Sequence, residues 1–172
     1  FNHDNSEKFG IIENNLITDL TGKIDGASSL KELIKIKKIK EAKEYAKSNP
    51  GSIKPDQIEY SPLIPNPGKI ICVGLNYSEH VKETNRTVEE NPVIFHRFPE
   101  SQTAHMQAIQ RPTVSESLDF EGEMAVIMGE GGKHIKPEDA LKHIVGFSCY
   151  NESTIREWQR HTRQFGMGKN FE

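Results

Sequence analysis

Glu121 and Glu123 stand two residues apart in the run Leu118-Asp119-Phe120-Glu121-Gly122-Glu123-Met124-Ala125-Val126-Ile127-Met128-Gly129, which otherwise reads as a buried strand. Alternate side chains of a strand share a face, so the two carboxylates point the same way. Desolvating such a pair is costly, and a divalent cation between them offsets that cost compactly. An edge strand with a solvated acidic face satisfies the same pattern. A third carboxylate, Glu152, directly follows the apolar strand read over 144–151, at the start of a helix expected over 153–163 that Ser153 or Thr154 could cap. Arg156 and Gln159 recur at i and i+3 on that helix and so share a face. Upstream, an apolar strand over 69–73 passes through Gly74 and Asn76 into a helical turn that sets His80 and Glu83 three apart. A carboxylate beside an imidazole orients the ring and raises its basicity, which suits a base that takes a proton from water. A surface pair has the same spacing.

The elements that must carry these groups follow from periodicity and breakers. Residues 9–12 and 16–20 flank Glu13-Asn14-Asn15 and read as a hairpin. Ser29-Leu30-Lys31-Glu32 has the form of a capping box and opens one helix that runs to about Lys47, with Leu30, Leu33, Ile34, Tyr45 and Ala46 as its inner stripe. Seven lysines lie between Lys31 and Lys47, but Glu32, Glu41 and Glu44 are interspersed, which makes a solvated face rather than a nucleic-acid surface. Pro62-Leu63-Ile64-Pro65-Asn66-Pro67-Gly68 reads as an extended connector, dividing the chain into a small α+β domain, 1–66, and a second domain, 67–172. A strand over 93–97, the strand carrying the Glu-x-Glu pair and a short helix opening at Pro137 complete the second.

Composition narrows the function classes. With 22 Lys+Arg against 25 Asp+Glu, nothing electrostatic favours a nucleic-acid or membrane partner. The apolar runs are too short for a transmembrane helix or a secretory signal. Cys72 and Cys149 both fall in strands expected to be buried, as free thiols, and a reducing cytoplasm is the expected setting.

Four motifs in order resemble the fumarylacetoacetate hydrolase family: Pro67-Gly68-Lys69-Ile70-Ile71-Cys72-Val73-Gly74-Leu75-Asn76-Tyr77 with His80 behind it, Asp119-Phe120-Glu121-Gly122-Glu123, Tyr150-Asn151-Glu152 leading to Arg156-Glu157-Trp158-Gln159, and Gly168-Lys169-Asn170-Phe171. Phe9 to Ile64 resembles the small N-terminal segment of many members. The resemblance implies an α+β, mainly β fold, a mixed β-sandwich roll with short helices. That roll is expected to be incomplete here, since family members continue beyond the Gly-Lys-Asn-Phe motif. It implies a homodimer and a cation, Mg2+ or else Mn2+ or Ca2+, held by Glu121, Glu123 and Glu152. The implied activity is hydrolysis of a carbon–carbon bond in a diketo acid or acylpyruvate through a metal-stabilised enolate. His80, oriented by Glu83, would activate water, Lys169 would stabilise the oxyanion, and Arg156 and Gln159 would orient the substrate's carboxylate end. Arg97, where relatives often have lysine, would hold a carboxylate bidentately or be a surface charge. The same enolate chemistry serves decarboxylases and isomerases of oxaloacetate-like or hydroxymuconate-type acids, and a non-catalytic scaffold or binding protein is a further alternative. One departure stands out: the family's third ligand is usually aspartate, and glutamate at position 152 displaces its carboxylate by about 1.5 Å, which magnesium tolerates less well than manganese or calcium.

Overall fold

The computed structural model describes residues 1–77 and 90–171, so the helical turn expected to carry His80 and Glu83 lies outside the described residues. The chain forms two compact units. The first comprises residues 1–65, 103–107 and 123–150. Its first elements are the short strands β1 (Asn2–His3) and β2 (Ser6–Glu7), then β3 (Gly10–Glu13) and β4 (Leu16–Asp19). β3 and β4 form the expected hairpin, pairing antiparallel from Gly10↔Asp19 to Glu13↔Leu16. Asn14 and Asn15 make its turn with φ of 50° and 61°, the left-handed pair that matches the twist of two strands. A Cβ at Gly51 would collide with the Ile17 carbonyl, and its absence lets the segment after the helices run against β4.

The single helix expected after Ser29 is two: α1 (Leu30–Lys35) and α2 (Ile39–Ser48). The chain turns at Lys37, φ 60°, and this brings both Ile36 and Ile39 against the core of Phe9, Leu20, Ile24, Ala27, Leu33 and Ala42. The capping box is shifted. Ser29 accepts from the Glu32 N–H at 3.2 Å as expected, but the Glu32 carboxylate accepts from the Ser28 N–H at 2.8 Å. The lysine-rich face is solvated, with exposed pairs such as Lys40–Glu44.

Two further strands, β8 (Gly122–Met128) and β9 (Ile144–Asn151), form a two-stranded sheet with alternating burial. Met124, Val126, Met128 and Phe147 lie exposed on it. Cys149 is also exposed and Cys72 is half-buried, which corrects the expectation that both sit in buried strands: a sheet of two strands leaves one face open.

The second unit comprises residues 66–102, 108–122 and 151–172. β5 (Ile70–Gly74) pairs antiparallel with β6 (Val93–Arg97), from Ile70↔Arg97 to Gly74↔Val93. β7 (Leu118–Asp119) pairs antiparallel with β10 (Thr154–Ile155). Two single-turn helices follow, α3 (Arg156–Gln159) and α4 (Gly166–Lys169). The helix expected over 153–163 is therefore confined to α3, because Thr154 and Ile155 are taken by the pairing with β7. The strand expected across 118–129 is interrupted at Phe120 and Glu121, where the Glu121 N–H donates to the Asn151 side chain at 3.2 Å. The molecule is α+β. No helix of the described residues is long and apolar enough to cross a membrane.

Candidate metal centre

The interruption at Phe120 and Glu121 builds the site. With the Glu121 amide turned to Asn151, its carbonyl accepts from the Glu152 N–H at 2.8 Å, which ties the two carboxylate-bearing residues together through their backbones. Glu123 follows two residues along the same segment. One oxygen from each of Glu121, Glu123 and Glu152 lies within 4.8 Å of the others.

Basic and polar groups crowd this cluster. The Lys169 ammonium donates to Glu121 Oε1 at 2.7 Å and to Glu152 Oε2 at 3.0 Å, and it lies 5.0 Å from the centroid of the Phe95 ring. Lys169 is 2% exposed. The Arg156 guanidinium donates from Nη1 to Glu121 Oε1 at 2.8 Å and from Nε to Asp119 Oδ2 at 2.8 Å, and the Thr154 hydroxyl donates to Glu121 Oε1 at 2.7 Å. Gln159 accepts from Arg156 Nη1 at 3.1 Å, so the i, i+3 pair on α3 does share a face.

Burial pushes the Glu121 carboxyl up, but the Lys169 ammonium, the Thr154 hydroxyl and the Arg156 charge pull it down by more, and it ends below its ordinary value. Asp119 is held down chiefly by the hydrogen bond from Arg156. Cys72 faces the cluster from β5. Burial first, and then the adjacent Glu152 carboxylate, push its thiol up to about 12, so it stays neutral.

Glu152 is buried, and its Oε1 has no hydrogen-bond partner among the described residues. A buried carboxylate oxygen left bare costs free energy that a cation would recover. This orphan belongs to a carboxylate clustered with those of Glu121 and Glu123, and three carboxylates are a donor set that hard divalent ions take. The residues present therefore fit a divalent metal. They fit it with glutamate at position 152: its Oε2 reaches Lys169 while Oε1 is left for a ligand.

Arg97 is 5% exposed, so it is not a surface charge. Its Nη1 donates to the Ser153 carbonyl at 3.0 Å, one residue beyond Glu152, and its Nε is buried without a partner among the described residues. Sequence reasoning assigns no site role to Asp119, Asn151 or Thr154, and Thr154, expected as a possible helix cap, instead donates to Glu121. Asp119 was visible as the first of three carboxylates at period two, 119, 121 and 123. Thr154 and Asn151 carried no such signal, since both act through partners distant in sequence.

Residues 69–172 match the family model described as Fumarylacetoacetate (FAA) hydrolase C-terminal. The chain is 39% identical over 117 residues to Oxaloacetate tautomerase Fahd2a, mitochondrial, of Rattus norvegicus, covering 67% of this chain and 37% of that protein. It is 37% identical over 133 residues to Oxaloacetate tautomerase fahd2, mitochondrial, of Xenopus laevis, covering 76% of this chain and 42% of that one. Among solved structures, the fumarylacetoacetate hydrolase of psychrophilic Exiguobacterium antarcticum superposes with a TM-score of 0.73 at 28% identity, covering all of this chain and 61% of that chain. The chain thus spans less than half the length of these two curated relatives and 61% of the solved chain. The cytoplasmic setting expected from sequence is overturned, because these curated relatives are mitochondrial proteins. Two unpaired cysteines do not name a compartment. With the profile matching 104 of its 172 residues in the part that holds every carboxylate of the cluster, the chain belongs to the fumarylacetoacetate hydrolase family.

Proposed function

We propose that the protein is a divalent-metal-dependent enzyme that interconverts the keto and enol forms of a small oxaloacetate-like acid, the isomerase branch of the chemistry its sequence resembles. The observation that carries this reading is the buried Lys169 ammonium set between Glu121 and Glu152 beside a bare carboxylate oxygen. It offers positive charge where an enolate would form, in a site largely shielded from water. The likeness to two oxaloacetate tautomerases supports the same choice.

Glu121, Glu123 and Glu152 would hold the metal, with Mg2+, Mn2+ and Ca2+ all compatible with oxygen donors. When bound, the cation supplies Lewis-acid polarisation of the substrate's carbonyl. Lys169 stabilises negative charge on the enolate oxygen. Arg156 spends Nε and Nη1 on protein acceptors and has Nη2 to offer a substrate carboxylate, with Gln159 fixing the guanidinium. His80, three residues before Glu83 in the sequence, would carry the proton to and from carbon.

A second reading, hydrolysis of a carbon–carbon bond in a diketo acid, is favoured by the His80-x-x-Glu83 spacing, which suits activation of water. We also propose that the described strands belong to a mixed β-sandwich roll of the family type, that the domain boundary lies at 66/67, and that the enzyme is a homodimer. The test is to follow decay of the oxaloacetate enol absorbance with full-length, metal-loaded protein. Acceleration that is lost in Glu123→Gln is expected. Decay no faster than in buffer, together with release of pyruvate from an acylpyruvate, would replace the tautomerase reading by the hydrolase one.

A further inference from the structure

We propose that Lys169 is a built-in countercation that limits the metal affinity of the carboxylate cluster, so that the site is formed without metal and holds the metal exchangeably. The inference rests on the metal-centre reading above and concerns how tightly that centre binds. Nζ of Lys169 bridges two of the three carboxylates, at 2.7 Å from Glu121 and 3.0 Å from Glu152. Arg156 adds a second positive charge at 2.8 Å from Glu121. Two positive charges thus already face the three carboxylates before any metal arrives, with Arg156 shared between Glu121 and Asp119.

Lys169 has nowhere else to go. It is 2% exposed, it rises from the last residue of α4, and Phe95 lies across its ammonium. Gly168 beneath it touches the Ile155 carbonyl and the Gln159 amide so closely that a Cβ would collide with both. The ammonium therefore stays beside an entering dication, and repulsion between the two is a standing feature of the site. The same contact prevents the carboxylates from repelling one another in the metal-free protein. Glu121 Oε1, with three donors on it, is saturated by this arrangement, whereas Glu152 Oε1 has none among the described residues. Glu121 and Glu152 thus each give one oxygen to the internal cation, Oε1 and Oε2 respectively, and keep the other for a metal.

The experiment titrates Mn2+ into full-length wild type, Lys169→Met and Lys169→Arg, reading bound ion by electron paramagnetic resonance and metal-free stability by thermal unfolding. Lys169→Met is expected to bind Mn2+ at least about tenfold more tightly, a modest share of the Coulomb repulsion between a unit charge and a dication a few ångströms apart. It should also melt at a lower temperature without metal, and Lys169→Arg should keep the wild-type affinity. If Lys169→Met does not fold without metal, refolding driven by Mn2+ is the expected result, and failure of Mn2+ to rescue it overturns the proposal. Equal or weaker Mn2+ binding by a folded Lys169→Met also overturns it, while leaving the metal centre standing. Absence of Mn2+ binding in wild type and both variants would instead remove the metal-centre reading itself.

Discussion

Arg97 lies beside the candidate metal centre and meets it through the backbone. Its guanidinium is buried and donates to the Ser153 carbonyl, next to the residue whose Oε1 is bare. Replacing it by methionine deletes a charge-assisted hydrogen bond of a kind that contributes about 1.5–3 kcal/mol and frees the backbone that aims Glu152. Arg97→Met is therefore expected to melt lower and to bind Mn2+ more weakly, and Arg97→Lys should recover part of both. Calorimetry and Mn2+ titration check this. Wild-type melting and Mn2+ affinity combined with a raised KM for the keto acid would place Arg97 on the substrate instead. The sequence made Arg97 visible as a charge in an apolar strand, but not its partner, because Ser153 lies 56 residues away and offers a backbone carbonyl that every residue type has.

At the scale of elements, α4 is a single turn whose position depends on a residue without a side chain. Gly168 packs on the Ile155 carbonyl and the Gln159 amide, which joins α4 to α3 and β10 at the spot where Lys169 emerges. Gly168→Ala must push these backbones apart, so both thermal stability and the Lys169 ion pairs should suffer, with the proposed enolisation falling by about tenfold or more, since misplacing a group that acts on substrate by an ångström can cost still more. A variant with wild-type kinetics would show that α4 can shift without consequence. The hairpin β3–β4 makes a different prediction. Burial raises the Asp19 carboxyl, but the Thr21 N–H and hydroxyl and then Lys8, 3.0 Å away, lower it by more, leaving it below its ordinary 3.8. A carboxyl depressed in the folded state contributes stability above its unfolded value and loses that contribution as pH falls through the folded one. Asp19→Asn should therefore be less stable than wild type at neutral pH, and the gap should close as pH falls from about 4 through the lowered folded-state value in urea unfolding. A gap that stays constant over that range would mean the depression is absent. The hairpin was legible because Asn14-Asn15 and its flanking apolar residues act locally. The break between α1 and α2 was not, because the turn at Lys37 is imposed by Ile36 and Ile39 reaching a common core.

Across the whole molecule, the same division between local and distant causes decides what the sequence revealed. The three carboxylates were legible, two from strand periodicity and one from its place at a strand end, and the family motifs supplied Lys169. Their geometry was not, since it depends on Glu121 leaving its ladder for Asn151 and on a lysine 48 residues further on. The cysteines were misjudged because an apolar strand sequence reports that a face is meant to be covered, not that it is covered within this chain. β8 and β9 carry Met124, Val126, Met128 and Phe147 exposed, and β5 and β6 carry Ile71, Val73 and Ile94 exposed. Large apolar side chains exposed along the face of a sheet are the kind of surface that another layer or partner usually covers, and two-stranded sheets leave open edges beside it. The 172-residue chain is therefore expected to bind a hydrophobic dye such as anilinonaphthalene sulfonate in its folded state and to associate increasingly with concentration. Phe147→Thr combined with Val126→Thr should reduce both signals without lowering the melting temperature, because neither side chain is buried. Light scattering across a concentration series, run beside the dye titration, reads the two effects separately. A folded chain that binds no dye and scatters as a monomer throughout would show that these faces are covered in solution.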